Sequence, residues 1–487
     1  MSSSFSFGEV RLDVNPASPS SPARPDPETP FRIAVLGDFS GRGSRGIVES
    51  GQAMARRRRW LIDRDNLDEV MERLEVELDL PVAGKVRFRE LEDFHPDRLY
   101  TELEMFQKLR EAEQEAARAP VPPPAPRRPP SPPPPDLSLD GLLEAAVEAT
   151  ESAASEPRPA PKDKLHAWVE ETVAPHLEPK ADPRREQIRA LIDKTATAQM
   201  RALMHYPTFQ ALEAAWRAMF FLVRRVETGP KLKLYLMDVS KQELAADLGA
   251  ADEARETGVY QLLAGDLEEA PWAVIAGLYT FGAAGADMPL LARLAVVAKA
   301  LGAPLLAGAG PRLAGCKSLA ASPDPAEWRE PADAGWEAFR ATPAAASVGL
   351  ALPRFLLRLP YGRETDPCEA FAFEEMGEQP EHERYLWGNP AIACASLLAE
   401  SFAASEWDFR PGQHLRIDGL PLHVYRRDGE SVAQPCAETL LGERAAERIL
   451  ENGLMALASY RDRDSIRLVR FQSAARPAAP LAAWWAR

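Results

Sequence analysis

Cysteine is scarce in this chain. Four occur in 487 residues, at Cys316, Cys368, Cys394 and Cys436, and no two stand in CxxC spacing. Neither a zinc ribbon nor a thioredoxin-type motif is supported, and a reducing compartment fits best. Positive charge is also short. Lys and Arg total 58 against 73 Asp and Glu, a net charge of −15. That balance disfavours general binding to nucleic acid or to an anionic membrane. Long apolar runs are missing as well. None reaches the roughly 18 residues of a membrane span, so no membrane insertion is expected. Met1 to Phe7 has no basic or apolar stretch of signal-peptide type. The expected place is the cytoplasm.

Catalytic signatures are equally thin. The seven histidines are His95, His166, His176, His205, His382, His414 and His423, and none stand in HxxxH or HExxH spacing. The spacing points to no metal site, and no GxSxG elbow is present. The loop Gly37-Asp-Phe-Ser-Gly41-Arg-Gly43 follows a strand but lacks the Lys-Ser/Thr of a phosphate loop. It is expected to be a tight turn held by Asp38 and Ser40. Glu374 and Glu375 are adjacent, so their side chains diverge and predict solvated or salt-bridged carboxylates rather than an acid/base pair. The run Arg56 to Arg59 reads as a solvated loop or a partner for an acidic neighbour. No catalytic residue and no cofactor is expected.

Proline is abundant, and unevenly placed. Pro120 to Pro135 holds eleven prolines in sixteen residues. With fixed φ and no N–H donors, this stretch can be neither helix nor sheet. At about 3.1 Å per residue it predicts a polyproline II spacer roughly 50 Å long. The spacer separates a small α/β module, 31–118, from a larger one, 162–487. An N-terminal strand with a flexible arm (1–30) precedes them, and the linker region 119–161 includes a short amphipathic helix.

Periodicity fills in the elements. Val10, Leu12 and Val14 alternate with polar residues, as a strand does. That strand can fold back on its own sheet or add to the sheet edge of another copy. Phe31 to Leu36 is a buried-type strand. Asn66 with Glu69 predicts a capping box. Lys85 to Phe88 is a strand, and Pro96 to Ala117 a charged helix. Leu139, Leu142 and Leu143 lie on the apolar stripe of a helix from Leu137 to Ala149. Pro207 opens a long helix with Phe209, Leu212, Trp216, Met219, Phe220 and Val223 on its buried face. Strands at Leu232–Val239, Trp272–Tyr279 and Pro304–Ala307, with an Asp287-capped helix ending at Gly302, predict a partly parallel α/β core. Leu420–Tyr425 and Ile466–Phe471 are late strands around a helix from Gly442 to Gly453. Tyr385, Trp387 and Asn389 lie in an aromatic, glycine-rich turn. It reads as a packed turn before a helix, or as a platform for another protein.

The residues resemble a known family. Phe31-Arg-Ile-Ala-Val-Leu-Gly-Asp-Phe-Ser-Gly-Arg42, Ile62-Asp-Arg-Asp-Asn-Leu-Asp-Glu-Val70 and Leu91-Glu-Asp-Phe-His-Pro-Asp-Arg-Leu-Tyr100 are similar to the small sheath subunit of the bacterial type VI secretion system. Tyr206-Pro-Thr-Phe-Gln-Ala-Leu-Glu-Ala-Ala-Trp-Arg217, Asp238-Val-Ser-Lys241, Leu359-Pro-Tyr-Gly362, Phe373-Glu-Glu375 and Tyr385-Leu-Trp-Gly-Asn389 are similar to the large one. The resemblance implies an α/β, phage-tail-sheath-like fold with terminal exchange strands. It implies a non-enzymatic protomer of a bacterial cytoplasmic tube that polymerises with itself around an inner tube protein, on baseplate components. On that reading Val10, Leu12, Val14, Leu422, Val424 and Leu468 serve inter-protomer strand exchange. Leu139, Leu142 and Leu143 become a candidate docking helix for an AAA+ unfoldase, and Tyr385, Trp387 and Asn389 pack the module. The familiar subunits are separate chains, whereas here one polypeptide carries both, and its large part is shorter than usual. A non-contracting adaptor or cap of the same machine is the alternative. An α/β enzyme is a third reading, which no motif demands.

Overall fold

The computed structural model describes residues 3–7, 10–14, 25–118, 183–265, 270–283, 285–331, 333–377 and 379–486. The proline run and the 137–149 helix, with Leu139, Leu142 and Leu143, lie outside these residues. Two compact units are present: 1–106 together with 196–487, and 107–195. The described part of the second unit is helical, with the helix Gln107–Arg118 and the first part of the helix Pro183–Met204.

The strands, in chain order, are β1 (Ser3–Phe7), β2 (Val10–Val14), β3 (Phe31–Gly37), β4 (Trp60–Ile62), β5 (Val76–Leu80), β6 (Gly84–Phe88), β7 (Leu232–Asp238), β8 (Val274–Phe281) and β9 (Leu305–Ala309). Then come β10 (Val348–Leu352), β11 (Phe355–Leu356), β12 (Trp387–Gly388), β13 (Arg416–Ile417), β14 (Val424–Arg427), β15 (Glu430–Ala433), β16 (Met455–Ser459) and β17 (Ile466–Leu468). Nine of them form one sheet, in the order β13-β17-β16-β10-β9-β8-β3-β7-β4. The five pairings from β7 to β16 are parallel, and the outer strands β4, β17 and β13 run antiparallel to their neighbours.

β3 explains much of this arrangement. All seven of its residues are buried, as expected for a parallel strand covered on both faces. It pairs with β7 on one side and β8 on the other. A strand from the first segment is thus an interior strand of a sheet built mostly by the second. Alternate side chains face opposite layers. Ala34 and Leu36 join a core with Leu244, Leu262 and Leu291 from the helices Lys241–Ala250, Gly258–Ala264 and Asp287–Leu301. Phe31 instead stacks 4.8 Å from Phe402 of the helix Pro390–Ser405, with Trp407 and Phe409 at 5.7 and 5.8 Å. Arg32 is buried in this strand, and its guanidinium lies 4.2 Å from the Trp272 ring centroid.

Local signals set several helix ends. Pro207 is the first residue of the helix Pro207–Arg225, where its missing N–H costs nothing. Gly302 closes the helix Asp287–Leu301 at φ 68°, a left-handed position that glycine occupies without strain. Ser240 and Glu243 form a reciprocal capping box.

Several expectations are corrected. Asn66 does not cap with its side chain; its amide donates to Leu61 O and accepts from Asp63 N, which closes the preceding turn instead. Asp287 begins its helix rather than capping it, and accepts from Gly282 N. The helix predicted over 96–117 breaks at Leu103 into Pro96–Glu102, a 3₁₀ turn and Gln107–Arg118. The strand predicted at Leu420–Tyr425 is Val424–Arg427, so Leu422 precedes it. Phe220 is only half-buried. Trp60–Ile62 is a strand the pattern did not show, three residues being too few for alternation to register.

Candidate functional site

The loop after β3 sits at the carboxyl ends of the parallel strands, where open α/β sheets place ligands. Here its donors are taken by the chain's own carboxylates. Asp38 accepts from Arg42 N and Gly43 N, both at 2.8 Å. Asp238 accepts from Phe39 N, Ser40 N and Ser40 Oγ at 2.8, 3.0 and 2.6 Å. Burial, and then the nearby Asp238 charge, raise the Asp38 carboxyl above its usual range. The tight-turn expectation describes this loop, with Ser40 reaching across to Asp238 rather than bonding locally.

One member of the arginine run, Arg57, meets an acidic neighbour here. Arg57 Nη1 donates to Glu243 Oε2 at 2.9 Å, and Arg42 Nε to Glu243 Oε1 at 3.1 Å. Arg57 also bonds Glu49 at 2.9 Å. Arg59 donates to Leu262 O at 2.8 Å, and Arg58 stacks 4.0 Å over Trp60. Glu243 is fully buried, so these guanidinium groups supply the pairing a buried charge requires. A cleft of about 500 Å³ opens beside the loop, lined in part by Ala211, Ala215, Ala218, Lys241 and Asn389. Two of its polar groups, Lys241 and Asn389, are committed to the protein. Lys241 bonds Asp287 at 2.6 Å and Thr280 O at 2.7 Å. Asn389 caps the helix Pro390–Ser405 through Ala391 N and donates to Tyr279 O at 3.0 Å.

A second charged cluster is deeper. Arg358 donates to Glu213 Oε1 at 2.7 Å and Oε2 at 3.2 Å, and to Glu375 Oε2 at 2.6 Å and Oε1 at 3.0 Å. Both carboxylates are at most 1 % exposed. Arg217 joins from the next turn, bonding Glu213 at 2.7 Å and Tyr361 Oη at 2.8 Å. Tyr361 N donates to Glu375 at 2.8 Å. Glu374 turns away and accepts from Arg363 N, so the adjacent carboxylates do diverge. The arrangement ties the helix Pro207–Arg225 to the 358–375 loop. Sequence reading missed Glu213, although it interrupts the apolar stripe between Phe209 and Trp216 and could have signalled a buried ion pair.

Burial alone would raise the Glu375 carboxyl, but the Arg358 charge, the His205 ring 3.5 Å away, and hydrogen bonds from Arg358 and Tyr361 N hold it at about 2. Glu438, beside Arg354 and His382, is likewise held at about 2 against the opposing effect of burial. Folded values below unfolded ones make the unfolded chain bind more protons. The stabilisation from both groups is complete above the ordinary value of 4.5 and lost as pH falls through about 2. Urea unfolding at stepped pH should show stability dropping below about pH 4.5, with a shallower drop in Glu375→Gln than in the parent chain. Equal slopes in the two proteins would reject this assignment.

The remaining residues singled out from sequence fall in three places. Tyr385 and Trp387 are buried with Leu356 and Met376. The Trp387 indole donates to His382 O at 2.8 Å, and the Tyr385 hydroxyl lies 2.7 Å from His423 Nδ1. Leu468 is buried in β17, which is paired on both sides within its own chain. Val424 lies half-exposed in a separate hairpin, β14–β15, turned by Asp428 and Gly429 at φ 52° and 87°. Such a two-residue turn matches the twist of the flanking strands. Val10, Leu12 and Val14 lie in β2, which pairs antiparallel with β1 in a hairpin of its own. Among the described residues, each hairpin is a two-stranded sheet whose outer edges have no strand beside them.

No described helix is long and apolar enough to cross a membrane. Comparison with known proteins gives two matches to families along the chain. Residues 10–118 match the type VI secretion system family VipA (VC_A0107 or Hcp2). Residues 186–475, more than half the chain, match VipB, the EvpB/VC_A0108 tail sheath N-terminal domain. The type VI secretion system sheath protein TssC1 of Pseudomonas aeruginosa is 32% identical over 307 residues, 60% of this chain and 62% of that protein. The chain therefore spans less than two thirds of the curated relative it matches. A VipA-type segment followed by a VipB-type segment, with a strand of the first seated inside the sheet of the second, places this chain in the type VI secretion sheath family as a VipA/VipB-type fusion.

Proposed function

We propose that this chain is a single-chain protomer of a contractile sheath, which polymerises around an inner tube in the bacterial cytoplasm and contracts to drive it through the cell envelope. The observation that carries the reading is that β1–β2 and β14–β15, two of the four two-stranded sheets among the described residues, stand apart from the nine-stranded sheet. An unpaired strand edge is a template for a strand from another chain. Backbone hydrogen bonds made there link copies without demanding a particular side chain. In this proposal Val10, Leu12 and Val14 come from the donated arm, and Leu422 and Val424 border the accepting hairpin. Leu468, from β17, carries the load to the core.

The interior suits that use. Glu243 and Arg358 anchor segments far apart in sequence, so a protomer moves as a block while links between blocks rearrange. Contraction then needs a lattice with two packings of unequal stability and no nucleotide at the moment of firing. Fusion keeps the two segments in equal number and at high effective concentration. Inner tube and baseplate proteins are the proposed partners. An unfoldase that recycles spent tubes would use the 137–149 segment, with Leu139, Leu142 and Leu143.

Deleting residues 1–14 should leave the protein folded and block polymerisation. Negative-stain microscopy of the purified chain should show long hollow tubes, and the truncated chain none. Normal tubes from the truncated chain would refute the strand-donor role. Discrete rings from the intact chain would favour a non-contracting cap or adaptor.

A further inference from the structure

One set of metal-type donors converges in this fold. Among the described residues, His95, Asp97 and Cys368 each bring a donor atom within 4.8 Å of the other two. Nothing in the spacing shows it, because Cys368 lies about 270 positions beyond the other two. His95 precedes the helix Pro96–Glu102, and Asp97 sits in its first turn. Cys368 belongs to the loop between Gly362 and Glu374.

The three side chains are held from behind. Asp97 Oδ1 accepts from Ala370 N and Oδ2 from Glu369 N, each at 2.9 Å. Those bonds fix the carboxylate and draw the Cys368 loop towards it. The His95 ring packs edge-on against Tyr361, with centroids 4.8 Å apart. Its Nδ1 accepts from Asp97 N at 3.2 Å and lies 3.7 Å from Asp97 Oδ2. All three residues are partly exposed, so an ion could enter from solvent.

A divalent ion bound here would hold the Cys368 sulfur as a thiolate, since a coordinating thiol is deprotonated by its metal.

We propose that His95, Asp97 and Cys368 form a three-donor site for a zinc-class divalent cation, with water as the fourth ligand. Imidazole nitrogen, thiolate sulfur and carboxylate oxygen are the donors zinc accepts in a tetrahedral shell. On binding, the Cys368 S–H proton leaves to solvent and a metal–sulfur bond forms, with no redox change. His95 gives up its long bond to Asp97 N. The Glu369 and Ala370 amides remain on Asp97 and orient it, as partners behind a metal ligand do. The ion would pin the His95 turn of the VipA-type segment to a loop of the VipB-type segment, next to the Arg358–Glu375 pair.

Co²⁺ is the probe. Titrated into the full-length, reduced protein, it should give a saturable thiolate-to-cobalt charge-transfer band at one ion per chain. The band should be displaced by Zn²⁺, abolished by Cys368→Ser and by His95→Gln, and kept by Cys436→Ser. Absence of the band, or its survival in Cys368→Ser, overturns the proposal. If a variant does not fold, alkylation of the parent protein decides the matter. Zn²⁺ should slow modification of Cys368 at least tenfold, and unchanged labelling overturns the site.

Discussion

Replacing Arg358 with methionine should destabilise the fold by about 3–5 kcal/mol, the scale found when one partner of a buried ion pair is removed. The large figure arises because Glu213 and Glu375 stay behind. Both are essentially inaccessible to water and both face the guanidinium. Without Arg358 they are two like charges sharing a dry pocket, with Arg217, Tyr361 N and the nearby His205 ring left beside them. Whole-domain stability is only about 5–15 kcal/mol, so the variant should sit near the threshold for folding. The triple replacement Arg358→Met, Glu213→Gln, Glu375→Gln should recover part of the loss, since it removes the stranded charges too. Chemical denaturation of the three proteins measures this. A single variant that loses less than about 1 kcal/mol, the range of an exposed pair, would show that solvent reaches the cluster.

The second large effect concerns β3. The segment 186–487, produced without residues 1–118, should fail to reach a soluble native state. Phe31, Ile33, Val35 and Leu36 are each at most 1% exposed in the sheet. At about 1.5–3 kcal/mol for each large apolar side chain buried, their loss removes about 6–12 kcal/mol. That equals most of a domain's net stability. The cut also opens the facing edges of β7 and β8, both apolar and both prone to pairing with other chains. Supplying residues 25–118 as a separate chain during refolding should restore solubility, because β3 is held by pairing and packing rather than by the linker. A protease site placed within Pro120–Pro135 should likewise leave two fragments that co-elute after cleavage. Cooperative unfolding of 186–487 alone would contradict the account.

These outcomes rest on features with different visibility in the sequence. The helix starting at Pro207, the stop at Gly302 and the buried run Phe31 to Leu36 were legible because each depends on residues a few positions apart. The boundary errors have the same origin. Asn66 and Asp287 carry good capping side chains, yet neighbouring backbone groups at Asp63 and Gly282 engage them first. Leu103 ended a helix that its apolar stripe alone would have carried on. Of the charged clusters, the Arg56–Arg59 run read as a solvated loop or as a partner for an acidic neighbour, and the sequence did not name that neighbour. Glu213 and Arg358 gave no joint signal, being 145 positions apart.

By itself, the sequence determined two segments of sheath type, a proline-rich stretch between them, and the helices and strands whose period and caps are local. Tertiary structure alone decided that β3 enters the interior of the other segment's sheet, that Arg358 closes over two carboxylates, and that His95, Asp97 and Cys368 meet. The reason is physical. Helix caps and alternation are fixed by contacts within a turn or two, whereas strand order and buried charge pairing are chosen by which distant surfaces exclude water together.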